Sequence, residues 1–131
     1  MSEPAVSVLM AVRNGVPWVR DAAQSVLVQT APDLELIIID DGSTDATPDA
    51  LASIGDPRVR IERQPARGLT PSLNRALSLA RAPLIARLDA DDLALPERLA
   101  CQRRFLDAHP HVGLLARRPG KSTRRASWCP S

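Results

Sequence analysis

Aromatic residues are nearly absent from this chain of 131 residues. Phe, Trp and Tyr together make up 2% of it, with one Phe, two Trp and no Tyr, so the core must be built from smaller apolar side chains. The hydrophobic content of 44% is enough for the core of one domain. The scarcity of aromatic rings also argues against binding to single-stranded nucleic acid, because such proteins stack bases on aromatic side chains.

The chain also lacks the features of a membrane or secreted protein. No stretch reaches the ~20 consecutive apolar residues that a membrane span needs, and the N-terminal residues lack the basic region of a secretory signal. The two cysteines, Cys101 and Cys129, have neither C-x-x-C nor metal-ligand spacing. These absences predict a reduced, cytoplasmic protein without a transmembrane segment, with a peripheral position at the inner face of the membrane as the alternative.

Charge is unevenly distributed along the chain. The net charge is +2, but residues 116–131 contain five of the 17 basic residues and no acid. Residues 1–115 therefore carry 12 bases against 15 acids, which excludes the basic face of a nucleic-acid-binding domain. Sixteen of the bases are Arg, a bias typical of GC-rich coding. We interpret residues 116–131 as a frameshifted or disordered basic tail.

Apolar runs of strand length alternate with helical patterns between residues 6 and 115. Helical patterns follow Pro17, run from Thr47 to Ser53 and from Thr70 to Ala80, and begin again at Pro96. Strands are predicted at residues 6–12, 34–39, 58–63 and 84–88, with a fifth at 112–115. The alternation predicts an α/β fold, with a parallel sheet and helices on both of its faces.

Acidic residues follow two of the predicted strands. Asp40 and Asp41 come directly after LELIII, and Asp89 and Asp91 come directly after LIARL. Because parallel sheets bind ligands beyond the carboxyl ends of their strands, we expect these acids to converge on one cleft. Carboxylate oxygens suit a hard divalent cation that carries a phosphorylated ligand. The sequence therefore predicts a metal-dependent site for a nucleoside diphosphate.

The turn after the first strand, VRNGVPW, contains one glycine, Gly15. Neither the Gly-rich dinucleotide fingerprint nor a Walker A loop is present, so no Gly-rich backbone cradles the phosphates. A cation held by Asp89 and Asp91 would instead neutralise the diphosphate and stabilise it as a leaving group. A nucleotidyltransferase is a weaker alternative, because it would need a Gly-rich, basic loop at this turn.

Four segments together resemble the N-terminal half of a family 2 glycosyltransferase with the GT-A fold: VSVLMAVRNG, SVLVQTAPDLELIIIDDGSTD, DPRVRIERQPARGLTPSLNRALSLA and IARLDADDLALPERLACQ. The resemblance implies a GT-A, Rossmann-like sheet and inverting transfer of a sugar from a nucleotide diphosphate donor, with Mg²⁺ or Mn²⁺ as cofactor and UDP as the expected nucleotide. Residues 1–115 would then be the nucleotide-sugar-binding half of a glycosyltransferase domain, and the fold would be incomplete. The donor sugar, the acceptor and the linkage stay open.

The resemblance also implies roles for individual residues. The base would be bordered by Ala11 and Arg13 and contacted by either Asp40 or Asp41. The ribose would be contacted by Asp89, and the metal would be bound by Asp91 of an Asp-x-Asp motif. The segment that flanks the donor contains Arg67, Gly68 and Asn74. Relatives usually have an aromatic residue in place of Arg13, although a guanidinium plane also stacks on rings.

A catalytic base is missing from the pattern. In relatives, a carboxylate from the later half of the domain deprotonates the acceptor hydroxyl, and no residue after Asp107 is acidic here. The catalytic residues are therefore unassigned. Two interpretations remain: a sugar transferase in its full-length form, or a catalytically inactive, truncated fragment that at most binds nucleotide. A downstream half with an acidic base would favour the first.

Overall fold

The structure, a computed structural model, describes residues 4–29, 33–91, 93–94, 96, 99–101 and 104. Within these residues the chain order is β1 (Val6–Val12), α1 (Val19–Leu27), β2 (Leu34–Asp41), α2 (Thr47–Ala52), β3 (Val59–Gln64), α3 (Leu69–Leu79) and β4 (Leu84–Arg87). The four strands form a parallel sheet in the order β3-β2-β1-β4. The predicted parallel α/β fold is thus confirmed. The predicted strand at 112–115 and most of the helix predicted after Pro96 lie outside the described residues.

The two central strands are buried because helices cover both faces of the sheet. All eight residues of β2 are buried, and Ile37, Ile38 and Ile39 have no exposed surface. Three consecutive isoleucines are expected in such a strand, since neighbouring side chains point to opposite faces and neither face meets water. Burial of each side chain contributes roughly 1.5–3 kcal/mol to the free energy of folding.

The helices lie on opposite sides of the sheet. The face that carries Met10 and Ile38 packs against α1 and α2 in the larger core, which also includes Leu99 from the segment after β4. The face that carries Leu9 and Ile37 packs against α3. The prediction of helices on both faces is therefore confirmed.

The direction of strand addition reverses at β1. From β1 the chain adds β2 and β3 on one side, and β4 then pairs on the other side of β1. Such a switch point is where α/β sheets bind ligands. Val12 pairs with Asp40 and Asp41 pairs with Gln64, so β1, β2 and β3 end at nearly the same level. β4 ends earlier, at Arg87, which pairs with Leu9 of β1. We refer to residues 13–18, 42–46, 65–68 and 88–91, which follow the four strands, as the carboxyl edge.

The starts of α2 and α3 differ from the prediction. The sequence predicts that these helices start at Thr47 and Thr70, with the threonine as N-cap, whereas Ala46 and Gly68 are the N-cap residues and neither makes a side-chain capping bond. The hydroxyl of Thr47 instead accepts a bond from the Gly15 backbone and donates to Asp45. The Thr47 hydroxyl is therefore used for a contact with the loop after β1 and for a local bond to Asp45, and not as a helix cap.

A buried carboxylate stabilises the opposite, amino edge of the sheet. Glu35 of β2 accepts hydrogen bonds from the Ser7 hydroxyl of β1 and from the backbone and guanidinium of Arg81, which precedes β4. Burial alone raises the pKa of Glu35, but the bonds from Ser7 and Arg81 outweigh it and the net pKa lies below its ordinary value. Glu35 therefore joins three parts of the chain at the edge remote from the strand-end acids.

None of the helices in the described part of the chain combines the length and the apolar character needed to cross a membrane. Cys101 is completely buried. The cytoplasmic location stays a prediction.

Candidate functional site

The loops after β1 and β2 are held together by reciprocal hydrogen bonds. The Asn14 backbone N–H donates to Ser43 Oγ over 2.9 Å, and Asn14 Oδ1 accepts from the Thr44 N–H over 2.8 Å. The Gly15 N–H donates to Thr47 Oγ1 over 2.9 Å. Asn14 has a φ of +53°, in the left-handed region that Asn tolerates better than most residues. The two loops therefore form one unit at the carboxyl edge.

Asp40 points to the α1 and α2 side of the sheet and is 1% exposed. Its Oδ1 accepts a hydrogen bond from the Ser43 N–H over 3.1 Å, and its Oδ2 lies 4.0 Å from Arg63 Nε. Arg63 also donates to the Ser43 carbonyl, but its side chain is 61% exposed. Because the ion pair is long and the Arg63 side chain is exposed, it contributes little to the free energy of folding. Asp40 Oδ2 therefore keeps unused acceptor capacity.

Asp41 points to the opposite face, toward α3. Its Oδ1 accepts bonds from Gln64 Nε2 over 2.9 Å and from the Arg67 N–H over 2.8 Å, and its Oδ2 accepts from the Gly68 N–H over 2.9 Å. Burial raises the pKa of Asp41, but the bonds from Gln64, the two backbone amides and Ser72 outweigh it, so the net pKa lies below its ordinary value. Asp41 is therefore an ionised carboxylate whose oxygens are used within the protein.

Asp89 and Asp91 follow β4 at the same edge, and both are exposed. Because β1 lies between β2 and β4, two strand spacings of roughly 10 Å separate them from the acids of β2. Arg87 Nη2 lies 3.2 Å from Asp89 Oδ1. In the part of the chain that the structure describes, no three His, Cys, Asp or Glu residues are placed to hold a metal ion together. The four predicted acids thus share one edge without forming a single cluster.

The remaining predicted residues differ in position and in exposure. Ala11 is half-buried in β1, and Arg13, the first residue after β1, is exposed. Arg67 is exposed in the loop before α3, and Asn74 is exposed on α3 itself.

A cleft of about 500 Å³ opens between the ends of β2 and β3. It is lined by Gly42, Ser43, Thr44, Arg63, Gln64 and Pro65. Its polar groups include the Arg63 guanidinium, which lies beside Asp40. The carboxyl edge therefore has a shallow, open depression next to the acids of β2.

Sequence reasoning missed two residues that organise this edge: Ser43 and Gln64. Gln64 ends β3 and pairs in register with Asp41, so the strand-end rule would have found it if it had been applied to β3 as well. Ser43 has no such signal, because the residues that bond to its hydroxyl and its carbonyl, Asn14 and Arg63, are distant in the sequence.

Comparison with known proteins assigns the chain to a family. The model of that family, described as glycosyl transferase family 2, matches residues 7–130. EpsE of Bacillus subtilis (strain 168), assigned as a glycosyltransferase, is 39% identical over 114 residues, which cover 84% of this chain and 41% of EpsE. The succinoglycan biosynthesis protein ExoO of Rhizobium meliloti (strain 1021) is 39% identical over 111 residues, which cover 84% of this chain and 31% of ExoO. The chain therefore spans less than half the length of either relative.

Two solved structures have the same fold. The mannosyltransferase PcManGT from Pyrobaculum calidifontis, in complex with GDP-Man and Mn²⁺, has a TM-score of 0.77 at 29% identity, over 94% of this chain and 38% of that protein. TarS 1–349 of S. aureus, in complex with UDP-GlcNAc, has a TM-score of 0.74 at 24% identity, over 80% of this chain and 32% of that one, and supports the fold alone. The predicted GT-A fold is confirmed, and with the match over residues 7–130 this chain belongs to glycosyl transferase family 2.

Proposed function

We propose that this chain binds the nucleotide-sugar donor of an inverting glycosyltransferase, with a UDP-linked sugar as donor and Mg²⁺ or Mn²⁺ as cofactor. The supporting observation is that the segments after β1, β2 and β4 lie at the switch point of the sheet, and that two exposed acids, Asp89 and Asp91, stand in the segment after β4. The complexes of TarS with UDP-GlcNAc and of PcManGT with GDP-Man and Mn²⁺ support this ligand class.

Either Asp40 or Asp41, the two acids that end β2, would contact the base. Asp41 is 6% exposed, and its oxygens accept three hydrogen bonds from the protein. Asp40 is 1% exposed, and its Oδ2 has the 4.0 Å approach of the Arg63 guanidinium. Ala11 of β1 and Arg13, the first residue after β1, would border the same base.

Asp91 would hold the cation, and Asp89 would contact the ribose. Both residues offer exposed carboxylate oxygens, the ligand type that Mg²⁺ and Mn²⁺ prefer. A single carboxylate, that of Asp91, leaves most of the cation's coordination shell to be completed by water and phosphate oxygens, which fits a cation that binds together with the diphosphate. When bound, the cation would neutralise the diphosphate and stabilise it as a leaving group.

Titration calorimetry with UDP, with Mn²⁺ and with both together tests these roles. Binding is the readout, because transfer to an acceptor is a property proposed for the whole enzyme. We expect UDP and Mn²⁺ to bind cooperatively, each increasing the affinity of the other by roughly 5–150-fold. Asp91→Asn should abolish the cooperativity, since it removes the charge that faces the cation. Asp89→Asn should weaken UDP binding both with and without Mn²⁺.

Asp33→Asn is the matched control for both substitutions. Asp33 is also exposed, but it precedes β2 and lies at the opposite edge of the sheet. Asp33→Asn should therefore leave the affinity for UDP, and the dependence of that affinity on Mn²⁺, unchanged. UDP binding that is indifferent to Mn²⁺, or equal effects of the three substitutions, would contradict the proposed site. GDP should be titrated in parallel, because tighter binding of GDP would overturn the assignment of UDP.

A further inference from the structure

The turn that carries Asp89 and Asp91 rests on the loop after β1. Both acids are exposed, whereas Ala90 between them is half-buried and packs against the larger core. A Cβ built on Gly15 would lie 3.8 Å from the Cβ of Ala90, which is the distance of an ordinary van der Waals contact. Ala90 therefore anchors the turn to the protein, and the anchor lies beside Gly15.

Gly15 itself has a closely defined position. A Cβ built on it would collide with the side chain of Val12 and would lie 3.2 Å from the Cβ of Val19, so the backbone passes tightly between the end of β1 and the start of α1. The Gly15 carbonyl accepts hydrogen bonds from the N–H groups of Trp18 and Val19, both over 2.8 Å. Its own N–H donates to Thr47 Oγ1 over 2.9 Å. This last bond ties Gly15 to the segment after β2.

Asp45 fixes the orientation of the Thr47 hydroxyl, which is completely buried with its residue. The hydroxyl donates its single proton to Asp45 Oδ1 over 2.5 Å, which leaves its lone pairs for the Gly15 N–H. The Thr47 N–H donates to the same carboxylate oxygen over 2.9 Å. The bond from the hydroxyl is the main reason why the pKa of Asp45 lies below its ordinary value, and it outweighs the opposing effect of desolvation. Asp45 is therefore an ionised and strong acceptor at neutral pH.

These contacts run across three neighbouring strands. β1 lies between β2 and β4 in the sheet, so the loop after β1 separates the segment after β2 from the turn after β4. Asp45 and Thr47 follow β2, Gly15 follows β1, and Ala90 follows β4. The hydrogen bonds and the contact at Ala90 therefore form a continuous path from the segment after β2 to the turn that carries the two exposed acids.

We propose that Asp45 and Thr47 are positioning residues, which hold Gly15 so that the turn around Ala90 presents Asp91 to the cation. Neither of the two residues is assigned a contact with the nucleotide or with the cation. This inference rests on the proposed function, in which Asp91 binds the cation. Groups behind a metal ligand set its orientation, and their loss typically lowers the affinity for the metal by about 10–100-fold.

Calorimetric titration of the UDP complex with Mn²⁺ tests this role in Thr47→Val and Asp45→Ala. Valine keeps the shape of threonine without the hydroxyl, and alanine removes the acceptor. In both variants the affinity of the UDP complex for Mn²⁺ should fall by roughly tenfold or more. The affinity for UDP without Mn²⁺ should stay within about twofold of the wild type, since no contact with the nucleotide is lost. An equal loss with and without Mn²⁺ would overturn the proposal, because it would indicate a general loosening of the carboxyl edge.

Three control variants separate the hydrogen bonds from charge and from the mere loss of a hydroxyl. Thr47→Ser keeps the hydroxyl, and Asp45→Asn keeps an acceptor oxygen without the charge, so both should retain most of the affinity for Mn²⁺. Ser53→Ala is matched to Thr47→Val, because the Ser53 hydroxyl bonds to the Ala50 carbonyl at the other end of α2; it should leave this affinity unchanged. A loss in Thr47→Ser as large as in Thr47→Val, or in Asp45→Asn as large as in Asp45→Ala, would overturn the proposal.

Two-dimensional NMR follows the same path without any ligand. The amide signals of Ala90 and Asp91 should shift in Thr47→Val and in Asp45→Ala, whereas Ser53→Ala should leave them in place. Unchanged signals in the first two variants would overturn the proposal. If Thr47→Val does not fold, Asp45→Ala decides the question, because Asp45 is exposed and its truncation leaves no cavity in the core. A wild type that binds UDP equally well with and without Mn²⁺ would instead refute the proposed function, and not the anchoring that these signals report.

Discussion

Replacement of Gly42 by Ala perturbs the carboxyl edge in two separable ways. The first is backbone strain, because Gly42 has a φ of +74° and a left-handed residue other than glycine costs roughly 1–2 kcal/mol. The second is a collision, since the new Cβ would lie 2.7 Å from Ala66 N and 3.0 Å from Ala66 Cβ. Rotation of a side chain cannot relieve a contact with backbone. The segment from Pro65 to Gly68 must therefore move.

This movement weakens the bonds that Arg67 and Gly68 donate to Asp41, at 2.8 and 2.9 Å. Loss of one hydrogen bond to a charged group costs about 1.5–3 kcal/mol. The free energy of unfolding should thus fall by roughly 2.5–5 kcal/mol in Gly42→Ala, when strain and one lost bond are combined. For a domain of ordinary stability this is a large fraction of the total.

Gly55→Ala is the matched control. Gly55 has nearly the same conformation, with a φ of +68°, but nothing lies within 4 Å of a Cβ built there. Gly55→Ala should therefore lower the free energy of unfolding only by the backbone strain, roughly 1–2 kcal/mol. The difference between the two variants isolates the collision with the segment before α3.

Urea unfolding, followed by tryptophan fluorescence and by circular dichroism, measures both variants against the wild type. The comparison is valid where the m value, the slope of the free energy of unfolding against urea concentration, is the same for all three proteins. UDP titration of the folded variants adds a functional readout: Gly42→Ala should lower the affinity and Gly55→Ala should not. Equal destabilisation by the two substitutions would refute the reasoning, because it would mean that the segment accommodates a methyl group freely.

The sheet could be predicted because its signals are local. β1 is an apolar run with the same bounds in the sequence and in the structure, Val6–Val12. β2 runs two residues further than predicted, to Asp41, because polar side chains at its end find partners in other strands and loops. The sequence predicts that Asp40 and Asp41 begin the loop after β2, because the prediction ends each strand at its last apolar residue.

The different surroundings of Asp40 and Asp41 could be predicted only in part. Alternation along a strand requires that adjacent residues point to opposite faces, so the sequence already implied different surroundings for the two acids. It did not identify which carboxylate the protein itself would use. That depends on Gln64, Arg67 and Gly68, which lie more than twenty residues after Asp41 in the sequence. They reach Asp41 because β3 pairs with β2 and ends beside it.

Two further substitutions test contacts that support the sheet away from the site. Arg58→Met should lower the free energy of unfolding by about 1 kcal/mol, because Arg58 donates a hydrogen bond of 2.9 Å to the Leu27 carbonyl at the end of α1; an unchanged urea midpoint would contradict this. Glu35→Gln should cost about 1.5–3 kcal/mol at pH 7, since an amide cannot accept all the bonds from Ser7 and Arg81. The pKa of Glu35 is lowered in the folded protein from its ordinary value of 4.5, so the unfolded chain binds the proton more tightly than the folded one. The stabilisation by Glu35 is therefore fully present above about pH 4.5 and is lost as the pH falls through the folded-state pKa. Urea unfolding at a series of pH values should show wild type and Glu35→Gln converging in stability at acidic pH, and a constant difference between them would show that this carboxylate is not the source of the effect.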